Sequence, residues 1–155
     1  MGAPKQITPK RLGDYLEVMS KAVFQSGISW QVVDKKWLDI REAFDEFDPL
    51  TVASFTTRKL NALAEDPRVI RNRRKLGGIV HNARTMIALE ERHGSFGTYL
   101  RAHADFEALV KDLRKRFKFL GDTGAYYFLW VVREPVPEYE EWCRMRGVTP
   151  KTVAS

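Results

Sequence analysis

Apolar residues recur along this 155-residue chain at intervals of three and four, which is the spacing of one face of an α-helix. We find no segment that alternates apolar and polar side chains over five residues, as a half-buried strand would. The clearest helical stripe consists of Leu12, Tyr15, Leu16, Met19 and Val23. The pattern predicts an all-α fold, an orthogonal helical bundle that forms a single domain over residues 1–155.

Capping residues and prolines divide this pattern into separate helices. Thr8 followed by Pro9 predicts the first helix start, and Gly27 predicts its end. A long helix is predicted to run from the basic stretch after Pro67 to about Glu91. Other helix starts are predicted at Ser29, Asp48, Thr56 or Thr57, Ser95, Asp105, Thr123 and Glu138. The helix after Thr123 is almost wholly apolar, which places it in the core, and a polar tail follows the last helix.

Composition narrows the class of protein. The net charge of +6 and the pI of about 9.5 favour a polyanionic partner, such as nucleic acid or an acidic membrane surface. The single Cys143 excludes an internal disulfide and a cysteine-based zinc site, and it fits a reducing cytoplasm. No apolar run approaches 18 residues, and the first ten residues lack the apolar core of a secretory signal. We therefore expect a cytoplasmic protein without a membrane span.

A basic stretch without acids lies between two predicted helices. Its cations are Arg68, Arg71, Arg73, Arg74 and Lys75. Backbone N–H groups at such a junction, together with the start of the following helix, can hold a phosphate. Cations at a helix start also oppose the helix dipole, and an external anion would relieve that cost. Phosphate binding and a solvated basic face are both open interpretations of this stretch.

A small turn indicates a function more specifically than the basic stretch does. It reads Gln25-Ser-Gly-Ile-Ser-Trp30, and its Gly-Ile pair can project an apolar tip between two helices. Enzymes that extrude a base from DNA need such a wedge, and they need an aromatic surface for the extruded base. Trp30 and Tyr15 are candidates for that surface, and ordinary core packing is the alternative for both. The apolar helix carries three more aromatic residues that could reach the pocket, of which at least two should belong to the core: Tyr126, Tyr127 and Trp130.

Four motifs in order resemble the DNA-3-methyladenine glycosylase I family, whose turn reads Gln-Ala-Gly-Leu-Ser-Trp. The family also has a Phe-Asp-Pro step, an Ile-Ile-Arg-x-Arg-x-Lys-Ile hairpin followed by Asn-Ala-Arg, and a late Phe-Lys-Phe-Val-Gly-x-Thr. The corresponding segments here are Phe47-Asp-Pro49, Val69-Ile-Arg-Asn-Arg-Arg-Lys-Leu76, Asn82-Ala-Arg84 and Phe117-Lys-Phe-Leu-Gly-Asp-Thr123.

This resemblance implies a helix-hairpin-helix DNA glycosylase that releases 3-methyladenine-type purines from double-stranded DNA in base excision repair. Gly27 and Ile28 would form the wedge, and Trp30 with Tyr15 and Tyr126 would line the base pocket. The cations expected at the DNA backbone are Arg71, Arg73, Arg74, Lys75 and Arg84. We expect a monomer that needs no cofactor and acts in the cytoplasm at the nucleoid.

The chain also departs from the family pattern. The family has a glutamate eight residues before the tryptophan of the turn, where this chain has Ala22, so the catalytic group is unknown. Asp14 and Glu17, on the same predicted helix, are the candidate replacements for this glutamate. The family's zinc site uses Cys and His near both termini, and its C-terminal positions fall at Glu138 and Trp142. No metal is therefore expected, and a non-catalytic or differently specific damaged-DNA-binding protein of the same fold is the alternative function.

Overall fold

The computed structural model describes residues 4–147, and this part of the chain is all-α without a strand, as predicted. The helices are α1 (Leu12–Gln25), α2 (Trp30–Ala43), α3 (Pro49–Ala53), α4 (Thr57–Ala64), α5 (Arg73–His93), α6 (Phe96–Leu100), α7 (Phe106–Arg116), α8 (Asp122–Val131) and α9 (Tyr139–Met145). The polar tail predicted after the last helix lies outside the described residues. No helix within residues 4–147 is long and apolar enough to cross a membrane.

The long helix α5 lies at the centre of the bundle. It contacts α1, α3, α4 and α6, while α8 packs against α1 and α7. The main core includes the fully buried side chains Leu16, Met19, Phe24, Leu76, Ile79 and Phe128. A second, smaller cluster joins Tyr126 of α8 to Trp142 and Cys143 of α9. The apolar helix predicted to be central, α8, is buried along most of its length.

Most predicted helix caps are confirmed. Five side chains at predicted starts accept a backbone N–H of the following helix, and they are Asp48, Thr56, Ser95, Asp105 and Glu138. Such a cap stabilises a helix by about 0.5–2 kcal/mol. Ser29 occupies the cap position of α2, but its hydroxyl donates to Gln31 Oε1 instead, at 2.8 Å.

Two predicted helix starts are wrong. The first helix begins at Leu12, because Asp14 Oδ2 accepts the backbone N–H groups of Lys10 and Arg11 at 2.8 and 3.3 Å and so caps α1 there. The chain before it runs along the end of α8, where Ile7 N donates to the Val131 carbonyl at 2.8 Å. Helix α8 begins at Asp122, with Gly121 as its cap residue, and not at Thr123.

A left-handed turn after α2 was not predicted. Asp45, Glu46 and Phe47 have φ values of 52°, 57° and 56°. This conformation costs a residue with a side chain about 1–2 kcal/mol. The Phe47 ring is fully buried and stacks on Trp37 and Phe44, with ring centroids 5.5 and 5.3 Å away. Aromatic packing of Phe47 against the end of α2 and the residue that follows it thus offsets the local backbone cost.

A polar network around Asp112 joins α6 to α7. Asp112 Oδ2 accepts the Tyr99 hydroxyl at 2.6 Å and Arg116 Nε at 2.9 Å, and His103 Nε2 lies 3.0 Å from it. Burial raises the pKa of Asp112, but these hydrogen bonds outweigh burial and hold the pKa at about 2. The network therefore stabilises the fold only while this carboxylate is charged.

This network predicts a specific acid sensitivity. The pKa of Asp112 is about 2 in the folded chain, compared with about 3.9 for an unperturbed aspartate. The charged carboxylate therefore stabilises the fold fully above about pH 3.9, and this stabilisation is lost as the pH falls to about 2. Urea denaturation between pH 5 and 2 should show a shallower loss of stability for Asp112→Asn than for the parent. Asp39→Asn, at an exposed position of α2, is the control. Parallel curves for parent and Asp112→Asn would contradict this assignment.

Candidate functional site

The hairpin between α4 and α5 consists of residues 65–72 and the first turn of α5, and it carries the basic stretch. Arg68 is held within the fold, because its guanidinium pairs with Asp66 at 2.7 Å and with Glu42 at 3.1 Å. Arg71 is exposed and has no hydrogen bond or ion pair with any described residue. Arg73 Nε donates to Asn61 Oδ1 at 3.1 Å, and Arg74 lies over the Phe119 ring at 5.7 Å. Arg71, Arg73 and Arg74 are thus the cations that the hairpin exposes.

Two other cations expected at the DNA backbone have partners in the fold. Lys75 is only 7% exposed, burial lowers the pKa of its ammonium, and that ammonium donates to the Ser26 carbonyl. Arg84 is exposed, but its Nε donates to the Ala53 carbonyl at the end of α3, at 2.8 Å. The placement of Lys75 on a phosphate-facing surface is therefore wrong, because this side chain ties the start of α5 to the turn after α1.

The turn between α1 and α2 exposes Ser26 and Gly27. Gly27 has φ +79°, a conformation that favours glycine, and no atom lies within 4 Å of where its Cβ would be. Ile28 was expected at an exposed tip, but it is half-buried and packs against the main core. The tip of the turn is thus Gly27, with Ile28 directly behind it.

A cavity of about 380 Å³ opens beside this turn. Its walls come from the end of α1, the start of α2, the 117–121 loop and the start of α8. The residues that line it include Ala22, Gln25, Trp30, Phe119, Gly124 and Tyr127. The Trp30 and Tyr127 rings meet edge to face, with centroids 5.2 Å apart. The two rings give the cavity aromatic walls that a flat apolar molecule could contact, and the cavity opens next to the exposed turn.

Tyr15 and Tyr126 do not join Trp30 in this cavity. Tyr15 packs against Phe96, with centroids 5.0 Å apart. Tyr126 stacks on Trp142 at 4.8 Å, and its hydroxyl donates to the Pro137 carbonyl at 2.6 Å. Successive residues of an α-helix point about 100° apart, so Tyr126 faces α9 while its neighbour Tyr127 faces the cavity. Their grouping with Trp30 was therefore wrong. Of the three aromatic residues of α8 that were candidates for the pocket, Tyr127 is the one that lines the cavity.

Phe119 is a cavity residue that sequence reasoning missed, although it lies within the Phe117–Thr123 motif. Its φ of +60° turns the ring over Gly78, where a Cβ would lie 2.6 Å from the ring. Asn82, which is 1% exposed, holds this loop through Lys118. Its Nδ2 donates to the Lys118 carbonyl at 3.1 Å, and its Oδ1 accepts the Lys118 N–H at 2.8 Å. Close packing at Gly78 and this paired amide fix the cavity wall.

The cavity contains Ala22, the position of the family glutamate, but neither proposed replacement acid. Asp14 caps α1, whereas Glu17 accepts Trp37 Nε1 at 2.8 Å and pairs with Arg41 at 3.2 Å. The carboxylate that does line the cavity is Asp122. Its two oxygens are paired with Arg114, at 3.0 Å, and with Arg146. Two cations and one anion thus leave this wall with a net positive charge.

The residues at the family's zinc positions do not fit a zinc ion. Glu138 uses its carboxylate to accept the backbone N–H groups of Glu140 and Glu141 at the start of α9. Trp142 has no metal-binding atom. Across residues 4–147, we find no group of three or more His, Cys, Asp or Glu side chains that is arranged to hold a metal ion.

Comparison with known proteins identifies the family. The model of the methyladenine glycosylase family matches residues 12–114. The chain belongs to this family. It is 32% identical over 126 residues to a DNA-3-methyladenine glycosylase of Haemophilus influenzae, with 68% of each chain covered. It is 31% identical to DNA-3-methyladenine glycosylase 1 of Escherichia coli, over 68% of this chain and 67% of that protein.

A solved structure shows the same architecture. It is 3-methyladenine DNA glycosylase I from Staphylococcus aureus, described in a study of 3-methyladenine recognition. The two chains share 27% identity and superpose with a TM-score of 0.73, over 83% of this chain and 79% of the other. The resemblance inferred from the four motifs is thus confirmed at the level of family and fold.

The paired amide of Asn82 predicts a measurable loss of stability. Asn82→Ala leaves the N–H and carbonyl of Lys118 without their partners, which should lower the free energy of unfolding by about 1–3 kcal/mol. Urea denaturation measures this change. Asn61→Ala is the matched control, because Asn61 is an exposed asparagine bonded only to the mobile end of Arg73. Equal losses for the two variants would contradict the role assigned to Asn82.

Proposed function

We propose that this protein is a DNA glycosylase that extrudes alkylated purines of the 3-methyladenine type from double-stranded DNA and hydrolyses their glycosidic bond. The observation that carries this proposal is the aromatic cavity of Trp30 and Tyr127, which opens beside an exposed turn and a basic hairpin. Membership of the methyladenine glycosylase family supports it. The activity would belong to base excision repair, with the protein acting as a monomer at the nucleoid.

The hairpin would hold the DNA backbone. Arg71 and Arg74 project from it without an acidic partner, and the start of α5 adds the favourable field of a helix N-terminus. Lys75 would contribute indirectly, because its bond to the Ser26 carbonyl links the hairpin to the turn. Gly27 lets the turn approach the duplex closely, and Ile28 would follow it into the gap left by the extruded base.

The cavity would then receive the base. Trp30 and Tyr127 offer aromatic surfaces to a purine, and an alkylated purine that carries a positive charge gains about 0.5–2 kcal/mol from a cation–π contact. Cleavage of the bond between base and sugar lets the base take the bonding electron pair and lose its charge. Water adds to the sugar carbon and releases a proton to solvent. Positioning and stacking can drive this reaction, because the charged base is already a good leaving group.

A second candidate function, lesion binding without cleavage, is favoured by one feature of the cavity. Ala22 replaces the family glutamate, and the remaining carboxylate of the wall, Asp122, is neutralised by Arg114 and Arg146. A protein of this kind would bind damaged duplex DNA in a salt-dependent manner but would release no base.

The cavity assignment predicts the outcome of one substitution. Trp30→Ala should abolish release of 3-methyladenine from methylated duplex DNA while leaving duplex affinity within about twofold, because stacking on the base is lost and backbone contacts remain. Chromatography of the released bases measures activity. Trp130→Ala is the matched control, since Trp130 is a partly buried tryptophan outside the cavity. If Trp30→Ala releases 3-methyladenine at the parental rate, the assignment of Trp30 to the base pocket is wrong. If the parent protein binds methylated duplex DNA but releases no base, the second candidate function is favoured.

The hairpin assignment predicts a change in salt dependence. Arg71→Ala should weaken duplex binding and reduce the slope of log affinity against log salt by about 1, because one phosphate contact is lost. Fluorescence anisotropy at a series of salt concentrations measures the slope. Arg92→Ala removes an equally exposed arginine at the other end of α5 and should leave the slope unchanged. Identical slopes for Arg71→Ala and Arg92→Ala would refute the hairpin as the DNA contact.

A further inference from the structure

One polar side chain in the cavity has no partner. Gln25, the last residue of α1, lines the cavity and is only 7% exposed. Both its Oε1 and its Nε2 are buried without a hydrogen-bond partner in the part of the chain that the structure describes. Leaving such a buried polar group unpaired lowers the stability of the folded chain. An unpaired buried glutamine at a cavity wall requires an explanation, and contact with a ligand in the cavity would provide one.

The group next to this amide is the Tyr127 hydroxyl. Burial raises the pKa of Tyr127 and the Asp34 carboxylate raises it further, whereas the Gln25 amide lowers it. The amide and the phenol are therefore close, but they do not meet in hydrogen-bond geometry. The donor and the acceptor of Gln25 both stay available at the aromatic wall.

The residues beside the amide are small and apolar. Ala22 precedes Gln25 by three residues, so the two side chains are neighbours on one face of α1. A Cβ built on Gly124 would lie 3.9 Å from the Ala22 methyl carbon, which is van der Waals contact, so α1 and α8 are closely packed here. Neither Ala22 nor Gly124 has a polar side-chain atom, so the amide of Gln25 supplies the side-chain hydrogen-bonding groups of this part of the wall.

We infer that Gln25 reads the polar edge of the extruded base in this cavity, where Ala22 offers no polar side chain at the position of the family's acid. This inference rests on the proposed glycosylase function. An adenine presents an N6–H donor beside the N7 acceptor, and a glutamine amide matches both groups at once. A guanine presents two acceptors, O6 and N7, so the amide oxygen would face an acceptor. The cavity therefore selects alkylated adenine over alkylated guanine through neutral hydrogen bonds.

The charges of the cavity residues support Gln25 as the group that recognises the base edge. Asp122 is already paired with Arg114 and Arg146, so no carboxylate among the cavity residues is free to bind an amino group. Trp30 and Tyr127 can stack on any purine, because every base has an aromatic face. Gln25 is the group of the cavity wall whose donor and acceptor distinguish one purine edge from another.

The test compares two purines in one substrate. DNA that contains both 3-methyladenine and 3-methylguanine is treated with the parent and with Gln25→Ala, and the released bases are separated by chromatography. Gln25→Ala should lower 3-methyladenine release by about tenfold to a hundredfold and change 3-methylguanine release much less. Gln31→Ala removes an exposed glutamine outside the cavity and should leave both rates unchanged. An unchanged ratio of the two purines in Gln25→Ala overturns the inference.

A second variant and a second measurement separate the possible failures. Gln25→Glu keeps the acceptor and the size of the side chain but removes the donor. It can still accept the N6–H of 3-methyladenine but meets only acceptors on 3-methylguanine, so the ratio of 3-methyladenine to 3-methylguanine should rise, which tests the role of Gln25 even if Gln25→Ala is unstable. Calorimetric titration with free 3-methyladenine measures base binding without cleavage. If the parent releases no base but binds 3-methyladenine more tightly than Gln25→Ala does, the glycosylase proposal fails and the role of Gln25 stands. Equal binding by the two proteins overturns the role of Gln25.

Discussion

Close packing against the first turns of α5 is the constraint on which the candidate site depends. Lys75 holds the turn after α1 through the Ser26 carbonyl. Gly78 admits the Phe119 ring, and Asn82 pairs with both backbone groups of Lys118. These contacts lie within eight residues of one helix, whose start also carries the exposed hairpin cations. The basic surface, the turn and the cavity wall are therefore parts of one packed unit and not separate loops.

The same unit contains several groups that cost free energy. Lys75 is a buried ammonium, Phe119 has a positive φ, and Gln25 has a buried amide without a partner in the described part of the chain. Each of these features costs free energy that a more regular structure would avoid. Similar costs occur elsewhere, because residues 45–47 and Arg133 also have positive φ values and Trp142 Nε1 is buried without a partner. A buried cation, a strained loop residue and an unpaired amide nevertheless lie together around one turn and its cavity, a combination that occurs at functional sites.

Membership of the methyladenine glycosylase family leaves room for a change in how the base is held. Ala22 stands at the position of the family's acid, and Glu138 and Trp142, at the positions of the C-terminal zinc ligands, do not fit a zinc ion. Near the N-terminus, Gln6 Nε2 donates to the Trp130 carbonyl at 2.8 Å and Trp130 Nε1 donates to the Pro4 carbonyl at 3.3 Å. These neutral hydrogen bonds hold the segment before α1 against the end of α8.

The sequence by itself determined the helices, their caps, the basic hairpin and the family. Apolar spacing, capping side chains and motif order depend on residues close together in the chain. Only the tertiary structure decided which side chains share the cavity. Tyr126 and Tyr127 are adjacent in sequence, yet the step of about 100° between successive helix residues directs them to different neighbours of α8. Lys75 is a cation of the hairpin that packing turns inward. Such choices depend on contacts between distant segments, as between Ser26 and Lys75, which no local pattern encodes.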